Sequence, residues 1–317
     1  MDKKREQHEI KIIIILVILS IVFYGLTFGI KAIKSHQSDD IQEYIDRATM
    51  TESSTKVEVT DDIEPFTLEK IDNKWQCLED DEFYVSTLSI TMMRTVLKYF
   101  TPERVILDAG DRWSEFGLDH PHRVMTLTSG EKCNTYLIGD YNPVLGEYYM
   151  AMEGDDAVYL MSKEDMESFD LPLLGYANDP AASQLQGDDI AHIRVRSASD
   201  KYDISVDGKT YTVNTGLETF TASQYDAMNI LTTFSSNTYT CAAHNVSGDG
   251  FKKYGLDDPE AVVTFTDLDG KDYELRVSVG EDGGYYMNEN GSGMIYTLME
   301  DKYEKLFERI KVDSLRG

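Results

Sequence analysis

The chain has 317 residues and a formal net charge of −27 at pH 7. That length suits about two domains, each large enough to bury a core without disulfides or metals. A surface this acidic repels phosphate backbones, so nucleic acid is excluded as an expected partner.

The amino terminus has the pattern of a membrane anchor. Residues 12–30 hold no charged side chain, and a helix of that length, at about 1.5 Å per residue, spans a hydrocarbon core of ~30 Å. The run is too long for a typical signal-peptide core, and no small-residue cleavage site follows. Basic residues predominate before it, which predicts a cytoplasmic amino terminus and an extracytoplasmic bulk. We therefore expect a single-pass protein of the cell membrane, with residues 1–35 as cytoplasmic stub and transmembrane helix.

One string of residues occurs twice, 138 positions apart. Its members are Phe116, Gly117, Leu118, Asp119 and Pro121 in the first occurrence, and Tyr254, Gly255, Leu256, Asp257 and Pro259 in the second. Flanking residues match in the same order, including Gly139-Asp140 with Gly280-Glu281. We infer two tandem copies of one domain, at 57–177 and 190–317. Residues 36–56 are predicted to form a polar spacer with a helical turn at 41–45, and residues 178–189 a linker.

The predicted elements follow the same order in both copies. Alternating runs predict strands at 57–59, 66–68 and 74–78, and again at 193–195, 202–204 and 210–213. An amphipathic helix follows, with one apolar face made of Met93, Val96, Leu97 and Phe100, or of Ala227, Ile230, Leu231 and Phe234. Thr221 and Gln224 are predicted to form a capping box at the start of the second of these helices.

A short strand precedes each string, at 104–107 and 239–242. The strands predicted after it lie at 123–128, 135–138, 148–152 and 158–161, and at 261–266, 273–279, 285–287 and 294–298. Each copy closes with a helix: Ser162 is predicted to cap the first, with Met166 and Phe169 inward, and Tyr303, Leu306, Phe307 and Ile310 mark the second. This order predicts an α+β fold, with two tandem, mainly antiparallel sheet domains carrying helices on one face.

The repeated string has the chemistry of a turn. Gly117 and Gly255 suit the left-handed position that ends a helix, and the leucine after each is expected to pack back onto that helix. Asp119 and Asp257 are expected to bond backbone amides, and the proline releases the chain into a strand. The string therefore predicts a helix stop and a strand start rather than a catalytic centre.

The chain contains no G-x-S-x-G, no P-loop, no H-E-x-x-H and no G-x-G-x-x-G after a strand, so we assign no catalytic residue, metal or cofactor. His120 and His122 beside Asp119 are interpreted as turn residues, and Asp267 to Gly270 as a hairpin turn rather than a calcium loop. The acids Glu79 to Asp81 are interpreted as a solvated polar loop. Cys77, Cys133 and Cys241 are interpreted as small buried hydrophobes, although a Cys133–Cys241 disulfide stays open.

Taken together, the predicted anchor, the string and the pair Gly139-Asp140 (or Gly280-Glu281) resemble the bacterial domain-of-unknown-function 4340 family over nearly all of residues 57–312. The resemblance implies an association with ABC-type transport systems, including auxiliary components of the gliding-motility type. It implies no catalytic residues.

Three functions are consistent with the sequence. The first is a membrane-anchored, extracytoplasmic binding or accessory protein, with transporter subunits as partners. The second is an envelope enzyme acting on wall polymers, and the third is a structural spacer or assembly module. Convergent acids or histidines in a pocket would favour the enzyme, whereas a mobile linker at 178–189 would favour the spacer.

Overall fold

The structure is a computed structural model that describes residues 40–50, 53–61 and 63–316. The predicted transmembrane helix at 12–30 lies outside these residues. Within the described ranges, no helix is long and apolar enough to cross a membrane.

The first sheet has eight strands in the order β3-β2-β1-β5-β6-β7-β8-β4. Their bounds are β1 Lys56–Thr60, β2 Phe66–Ile71, β3 Lys74–Cys77, β4 Arg104–Ile106, β5 Arg123–Ser129, β6 Lys132–Asn142, β7 Glu147–Met152 and β8 Val158–Ser162. The hairpin between β2 and β3 turns at Asp72 and Asn73, both of which have a positive φ. That pair of conformations is the one preferred by two-residue hairpins, because its twist matches that of the strands.

The second sheet has nine strands in the order β12-β11-β10-β9-β14-β15-β16-β17-β13. Their bounds are β9 Ile190–Ser197, β10 Lys201–Asp207, β11 Thr210–Asn214, β12 Thr219–Ala222, β13 Cys241–Ala243, β14 Ala261–Asp267, β15 Asp272–Val279, β16 Tyr285–Glu289 and β17 Ile295–Thr297. Apart from β12, the strand order is that of the first sheet. The mixture of helices with two antiparallel sheets confirms the predicted α+β class.

Five α-helices are described: α1 at 40–48, α2 Thr87–Lys98, α3 Lys163–Phe169, α4 Gln224–Ser235 and α5 Glu300–Arg309. The predicted apolar faces are confirmed where the residues are buried, as for Met93 and Leu97 on α2 and for Ile230 and Phe234 on α4. The Ser162 hydroxyl accepts from the Asp165 amide at 3.1 Å and so caps α3 as predicted.

The predicted capping box at Thr221 is wrong. Thr221 lies in β12, and the cap of α4 is Ser223, whose hydroxyl accepts from the Asp226 amide at 3.1 Å. Pairing of residues 219–222 with β11 moves the helix start two residues along the chain, because Thr221 is held in an extended conformation by that ladder.

The segment predicted as a polar spacer contains a packed helix. The hydroxyl of Tyr136 donates to the Ala48 carbonyl at 2.7 Å, and the Met50 amide donates to the Leu97 carbonyl at 3.1 Å. Ala48 and Met50 are buried. Composition does not reveal this packing, because the partners lie far away in sequence.

The chain divides into two compact units. One comprises the described residues up to Ser53 together with Arg94–Met166, and its core includes Phe116, Leu118, Leu137 and Val158. The other comprises the described residues of Ser54–Met93 and of Glu167 onward. The second unit thus contains β1, β2 and β3 as well as the whole nine-stranded sheet, and the contacts of His244 and of the cleft beside β3 described below lie within it.

Candidate functional site

The repeated string ends a short helix in each copy, as its chemistry predicts. Gly117 follows the 3-10 helix Gly110–Phe116 with φ 68°, and the Leu118 amide donates to the Trp113 carbonyl at 3.0 Å. Gly255 follows the 3-10 helix Gly248–Tyr254 with φ 70°. The Leu256 amide closes the turn onto the Phe251 carbonyl at 3.1 Å. Both leucines are buried.

The string also packs against the second repeated pair. A methyl group placed on Gly139 would overlap the Phe116 carbonyl oxygen, which shows how closely the two backbones approach. In the second copy, the Glu281 amide donates to the Lys253 carbonyl at 3.0 Å. The repeated residues therefore form one structural joint in each copy, where a helix stop meets the register shift of β6 in the first copy and the end of β15 in the second.

Two expectations for residues in or near the string need correction. Asp119 and Asp257 are exposed, and no hydrogen bond joins their carboxylates to any other residue that the structure describes. His122 is not only a turn residue, since its Nδ1 lies 3.1 Å from the Gly139 carbonyl oxygen. The turn is closed instead by the leucine amide of each copy, which donates to a carbonyl of the preceding short helix.

All three thiols are free. Cys77 and Cys241 are buried as expected, but Cys133 is exposed on β6, and no Cys133–Cys241 disulfide is present. Burial raises the pKa of Cys77 to about 11 and that of Cys241 to about 12, so both stay protonated at neutral pH. Asp267 to Gly270 form the predicted hairpin turn, in which the Asp267 carboxylate accepts from the amides of Asp269 and Lys271.

The two copies differ in the connection that follows their third strand. In the second copy, residues 215–223 turn at Gly216, which has φ 80°, and fold back as β12 against β11. In the first copy, the equally long connection 78–86 forms no strand, and the chain turns away from the outer edge of β3, which ends its sheet. This segment contains four consecutive carboxylates, and we call residues 79–86 the acidic loop.

Three carboxylates of the acidic loop have partners within the compact unit. Glu79 accepts from the Thr67 amide at 2.8 Å, and Glu82 accepts from the Gly293 amide at 2.7 Å. Asp80 contacts His244, and its second oxygen accepts from the Glu82 amide at 3.0 Å. The sequence-based interpretation of these acids as a solvated loop is therefore wrong for Asp80, which is buried.

His244 joins two segments that are far apart in sequence. Its Nδ1 lies 2.7 Å from an oxygen of Asp80, and its Nε2 lies 2.7 Å from an oxygen of Glu64. The edge of the imidazole and the ring of Phe83 meet at 87°, with centroids 5.5 Å apart. Because both ring nitrogens are occupied by carboxylates, the imidazole has no nitrogen left for a metal or for a substrate proton.

The charge of His244 follows from these neighbours. Burial lowers the pKa of the imidazole, but the hydrogen bonds and negative charges of Glu64 and Asp80 outweigh it, so the pKa lies above its ordinary value of 6.5. With two carboxylates and an imidazolium, the arrangement is a partly buried ion pair that ties the acidic loop to β13 and its following turn. We call it the His244 clasp.

The rest of the acidic loop continues this attachment. The Tyr84 amide lies 3.1 Å from the sulfur of Met294, and the Asn178 amide donates to the Tyr84 carbonyl at 2.6 Å. Val85 forms an isolated antiparallel bridge with Ala177. The loop is thus held along its length, from Glu79 to Val85.

A cleft of about 480 Å³ lies beside the acidic loop. Its lining includes five consecutive residues, Asn73 to Cys77, together with residues of the acidic loop and of the segment 178–181. Successive side chains of a strand point to opposite faces, so a cleft that touches five in a row runs along the edge of β3. Aromatic lining residues are Trp75, Phe83 and the half-exposed Tyr84.

The segment 178–189, predicted as a linker, is packed against the same unit. Both oxygens of the buried Glu289 carboxylate accept backbone amides, from Ala181 at 3.0 Å and from Ala182 at 2.7 Å. The Tyr296 hydroxyl donates to the Asn178 carbonyl at 3.0 Å. The wall of the cleft formed by residues 178–181 is therefore fixed by a carboxylate that is almost fully buried.

Sequence reasoning missed this site, although one signal pointed to it. The acidic loop has four consecutive carboxylates, whereas the corresponding connection 215–223 of the second copy has one, Glu218. His244 gave no such signal, because its carboxylate partners are 164 and 180 residues away. Among the described residues, no group of three or more His, Cys, Asp or Glu is placed to hold a metal ion.

Comparison with known proteins gives one match. The family model described as Domain of unknown function (DUF4340) matches residues 75–241, which is more than half of the chain but less than the span 57–312 over which the resemblance was expected. The match begins on β3 and ends on β13, and so includes the acidic loop. No curated protein and no solved structure matches the chain.

Proposed function

Since the chain belongs to the DUF4340 family of domains of unknown function, we propose a function from its own site: a membrane-anchored, extracytoplasmic binding protein that serves an ABC-type transport system as an auxiliary component. The observation that carries the binding role is the cleft beside the acidic loop. Its volume of about 480 Å³ falls in the range of ligand sites, about 300–1,000 Å³. The location and the transporter partner come from the charge-free run at 12–30 and from the family resemblance.

The chemistry of the site favours binding over catalysis. The nearest imidazole, that of His244, has both nitrogens occupied by Asp80 and Glu64. The thiol in the cleft wall, that of Cys77, has a pKa of about 11 because it is buried, and so is a poor nucleophile at neutral pH. The lining instead combines aromatic rings with side-chain amides and carboxylates, which is typical of recognition.

The three cysteines supply a direct test of the location. Cys133 is exposed, whereas Cys77 and Cys241 are buried, so a membrane-impermeant maleimide added to intact cells should label Cys133 alone. Cys133→Ser should abolish the labelling, and a Gln7→Cys substitution in that background should be labelled only after permeabilisation. Labelling of Cys133 that requires permeabilisation would overturn the extracytoplasmic location.

Recovery of partners tests the accessory role. We expect the full chain, solubilised in mild detergent after cross-linking in cells, to bring down permease or ATPase subunits of an ABC-type system. A paired purification of the Tyr84→Ser variant should recover less of them, because Tyr84 is the most exposed aromatic residue of the cleft. Recovery of the protein without transporter subunits would contradict the accessory role and leave the location to the cysteine experiment.

A further inference from the structure

We propose that the free edge of β3 binds an extended peptide segment of a partner protein, which pairs antiparallel with Trp75–Cys77 in the position that β12 occupies on β11. The inference rests on the proposed function, because it assumes that the cleft binds a partner, and it adds the chemical class of that partner. The second copy provides the template, since there the chain fills the corresponding edge with its own strand.

The two edges correspond residue by residue. The β2–β3 hairpin closes with Ile71 opposite Lys74, and the β10–β11 hairpin closes with Asp207 opposite Thr210. Both hairpins turn over two residues, so Trp75 corresponds to Tyr211, and Cys77 corresponds to Val213. All four of these side chains are buried, which places them on equivalent faces of their sheets.

The hydrogen-bonding groups of β3 point in the required direction. In the second copy, the Thr215 amide donates to the Glu218 carbonyl at 3.1 Å. Because bonding alternates along antiparallel strands, Val213 and Tyr211 direct their amides and carbonyls to β12. In the first copy, the Leu78 amide donates to the Thr67 carbonyl on β2 at 2.9 Å. By the same alternation, Cys77 and Trp75 direct their backbone amides and carbonyls away from β2 and towards the open edge.

No strand that the structure describes pairs with this side of β3, which ends the order of its sheet. The cleft runs along the same side, since Asn73 to Cys77 all line it. An open edge with space beside it is the arrangement that receives an added strand in β-augmentation, where main-chain bonds give affinity and alternate side chains give specificity.

The template predicts the side chains of the occupant. On the second sheet, Ala222 lies opposite Tyr211, and Phe220 lies opposite Val213. In the first sheet the larger Trp75 replaces Tyr211, which favours a small residue opposite it. The smaller Cys77 replaces Val213, which leaves room for an aromatic residue. We therefore expect an aromatic-x-small pattern.

Charge selects the flanking residues. Asp81 and Asp179 line the cleft, against a single lysine, Lys74. The other carboxylates of the acidic loop lie close by, although they have partners of their own. A segment with basic flanks complements this surface, and an acidic segment is repelled by it.

The test uses the full chain in detergent and a fluorescent peptide. The probe is Thr-Phe-Thr-Ala, the sequence of β12, flanked by lysines. Two N-methylated versions serve as matched controls with identical side chains. N-methylation at the phenylalanine removes the amide that faces β3, and we expect it to weaken binding by at least about tenfold. N-methylation at the second threonine removes an amide that faces away, and we expect affinity within about twofold of the parent.

Changes in the flanking residues of the peptide and variants of the protein test the charge preference and the role of the β3 amides. Replacing both flanking lysines of the peptide by glutamates is expected to weaken binding several-fold. The Asp81→Asn variant of the protein is expected to show a smaller difference between the two peptides. Cys77→Pro removes one outward amide of β3 and should weaken the parent peptide. Because that variant can also disturb folding, the N-methylated pair remains the deciding comparison.

Each alternative outcome overturns the proposal. Equal effects of the two N-methyl groups exclude strand pairing, and absence of binding excludes the peptide as occupant. Concentration-dependent dimers cross-linked through Gln76→Cys would show instead that a second copy of this chain covers the edge. The proposed function is judged separately. If Cys133 is labelled in intact cells and transporter subunits co-purify, a peptide that does not bind refutes only the proposed strand pairing on β3.

Discussion

The two copies share their strand order and differ in the connection that follows their third strand. Both have a two-residue hairpin, a helix, a glycine turn and an antiparallel ladder in the same order. They differ after the third strand. In the second copy the connection pairs with that strand as β12, and in the first copy it forms the acidic loop, which does not pair with β3. The difference teaches that the repeated residues maintain the fold, whereas the site lies where the repeat fails.

The contrast also separates two kinds of contact. The repeated joint at Gly117 or Gly255 lies within one copy, since the helix stop and the strand that it packs against belong to the same copy. The His244 clasp is long-range and joins residues of the first copy to residues of the second. Substitutions that affect the joint should therefore destabilise a copy, whereas substitutions in the clasp should release the acidic loop.

The largest expected effect is at the glycine turns, and it should differ between the copies. A methyl group on Gly255 would overlap the Val279 carbonyl oxygen, which is backbone and cannot move away. On Gly117 it would meet the Asp140 carboxylate, the end of a flexible side chain. With left-handed strain in both, we expect Gly255→Ala to cost about 4 kcal/mol of unfolding free energy and Gly117→Ala about 2 kcal/mol.

Urea denaturation of the two variants checks this order. Gly130→Ala is the control for strain alone, since Gly130 has φ 58° and nothing within 4 Å of the added methyl group. Equal losses of unfolding free energy in Gly255→Ala and Gly130→Ala would show that the loss comes from backbone strain alone and not from close packing at the joint.

The next effect is at the clasp. His244→Gln keeps hydrogen-bonding atoms but removes the positive charge between Asp80 and Glu64, which leaves the buried Asp80 carboxylate without a counter-charge. We expect a loss of about 2 kcal/mol, below the range for fully buried pairs because Glu64 is partly exposed. Amide hydrogen exchange should rise in residues 79–86.

His120→Gln is the matched control for this substitution, because His120 is exposed. Its unfolding free energy should change by less than about 0.5 kcal/mol. Unchanged exchange in the acidic loop of His244→Gln would contradict the role given to the clasp.

A smaller effect is expected from pH. The pKa of His244 is raised above 6.5 in the folded chain because the hydrogen bonds and charges of Glu64 and Asp80 outweigh the opposing effect of burial. Below pH 6.5 the imidazole is protonated whether the chain is folded or unfolded, and the clasp contributes its full stabilisation to the folded state. As pH rises through the folded pKa, that contribution is lost.

Exchange rates of the acidic loop, measured between pH 6 and pH 9 and corrected for intrinsic chemistry, should therefore show extra opening at the alkaline end. Phe83 adds no charge beside the imidazole, so Glu64 and Asp80 set the transition. The Asp80→Asn variant should shift the transition to lower pH, and an unshifted transition would assign it to another group.

The smallest effect is expected at the repeated aspartates. Asp119 and Asp257 are exposed, so Asp119→Asn and Asp257→Asn should each change the unfolding free energy by less than about 0.5 kcal/mol. Thermal unfolding checks this. A larger loss in both variants would mean that the carboxylates contribute to the turn after all.

Much of the fold follows from the sequence, because periodicity and turn chemistry are local. Ser162 caps α3, the apolar faces of α2 and α4 are buried, and Gly117 and Gly255 adopt the left-handed conformation that their position implies. β12 is missed because its four residues resemble the start of a helix. Only pairing with β11 decides that Thr221 is extended.

The site is less accessible to sequence reasoning. A run of acids such as Glu79 to Glu82 is usually solvated, and nothing local distinguishes Asp80 as the buried one. The partner of that carboxylate, His244, belongs to the other copy. Comparing the copies with each other narrows the search, because the acidic loop appears where their alignment breaks down.

The equal two-residue turns of the two hairpins have a consequence for how a duplicated domain diverges. Because both hairpins turn over two residues, β3 and β11 keep the same register with their inner neighbours although the segments that follow them differ. A duplicated gene can then rewrite the segment after that strand in one copy while the register of both hairpins is kept. The outer edge of the third strand is thus a place where the copies diverge without a change of register.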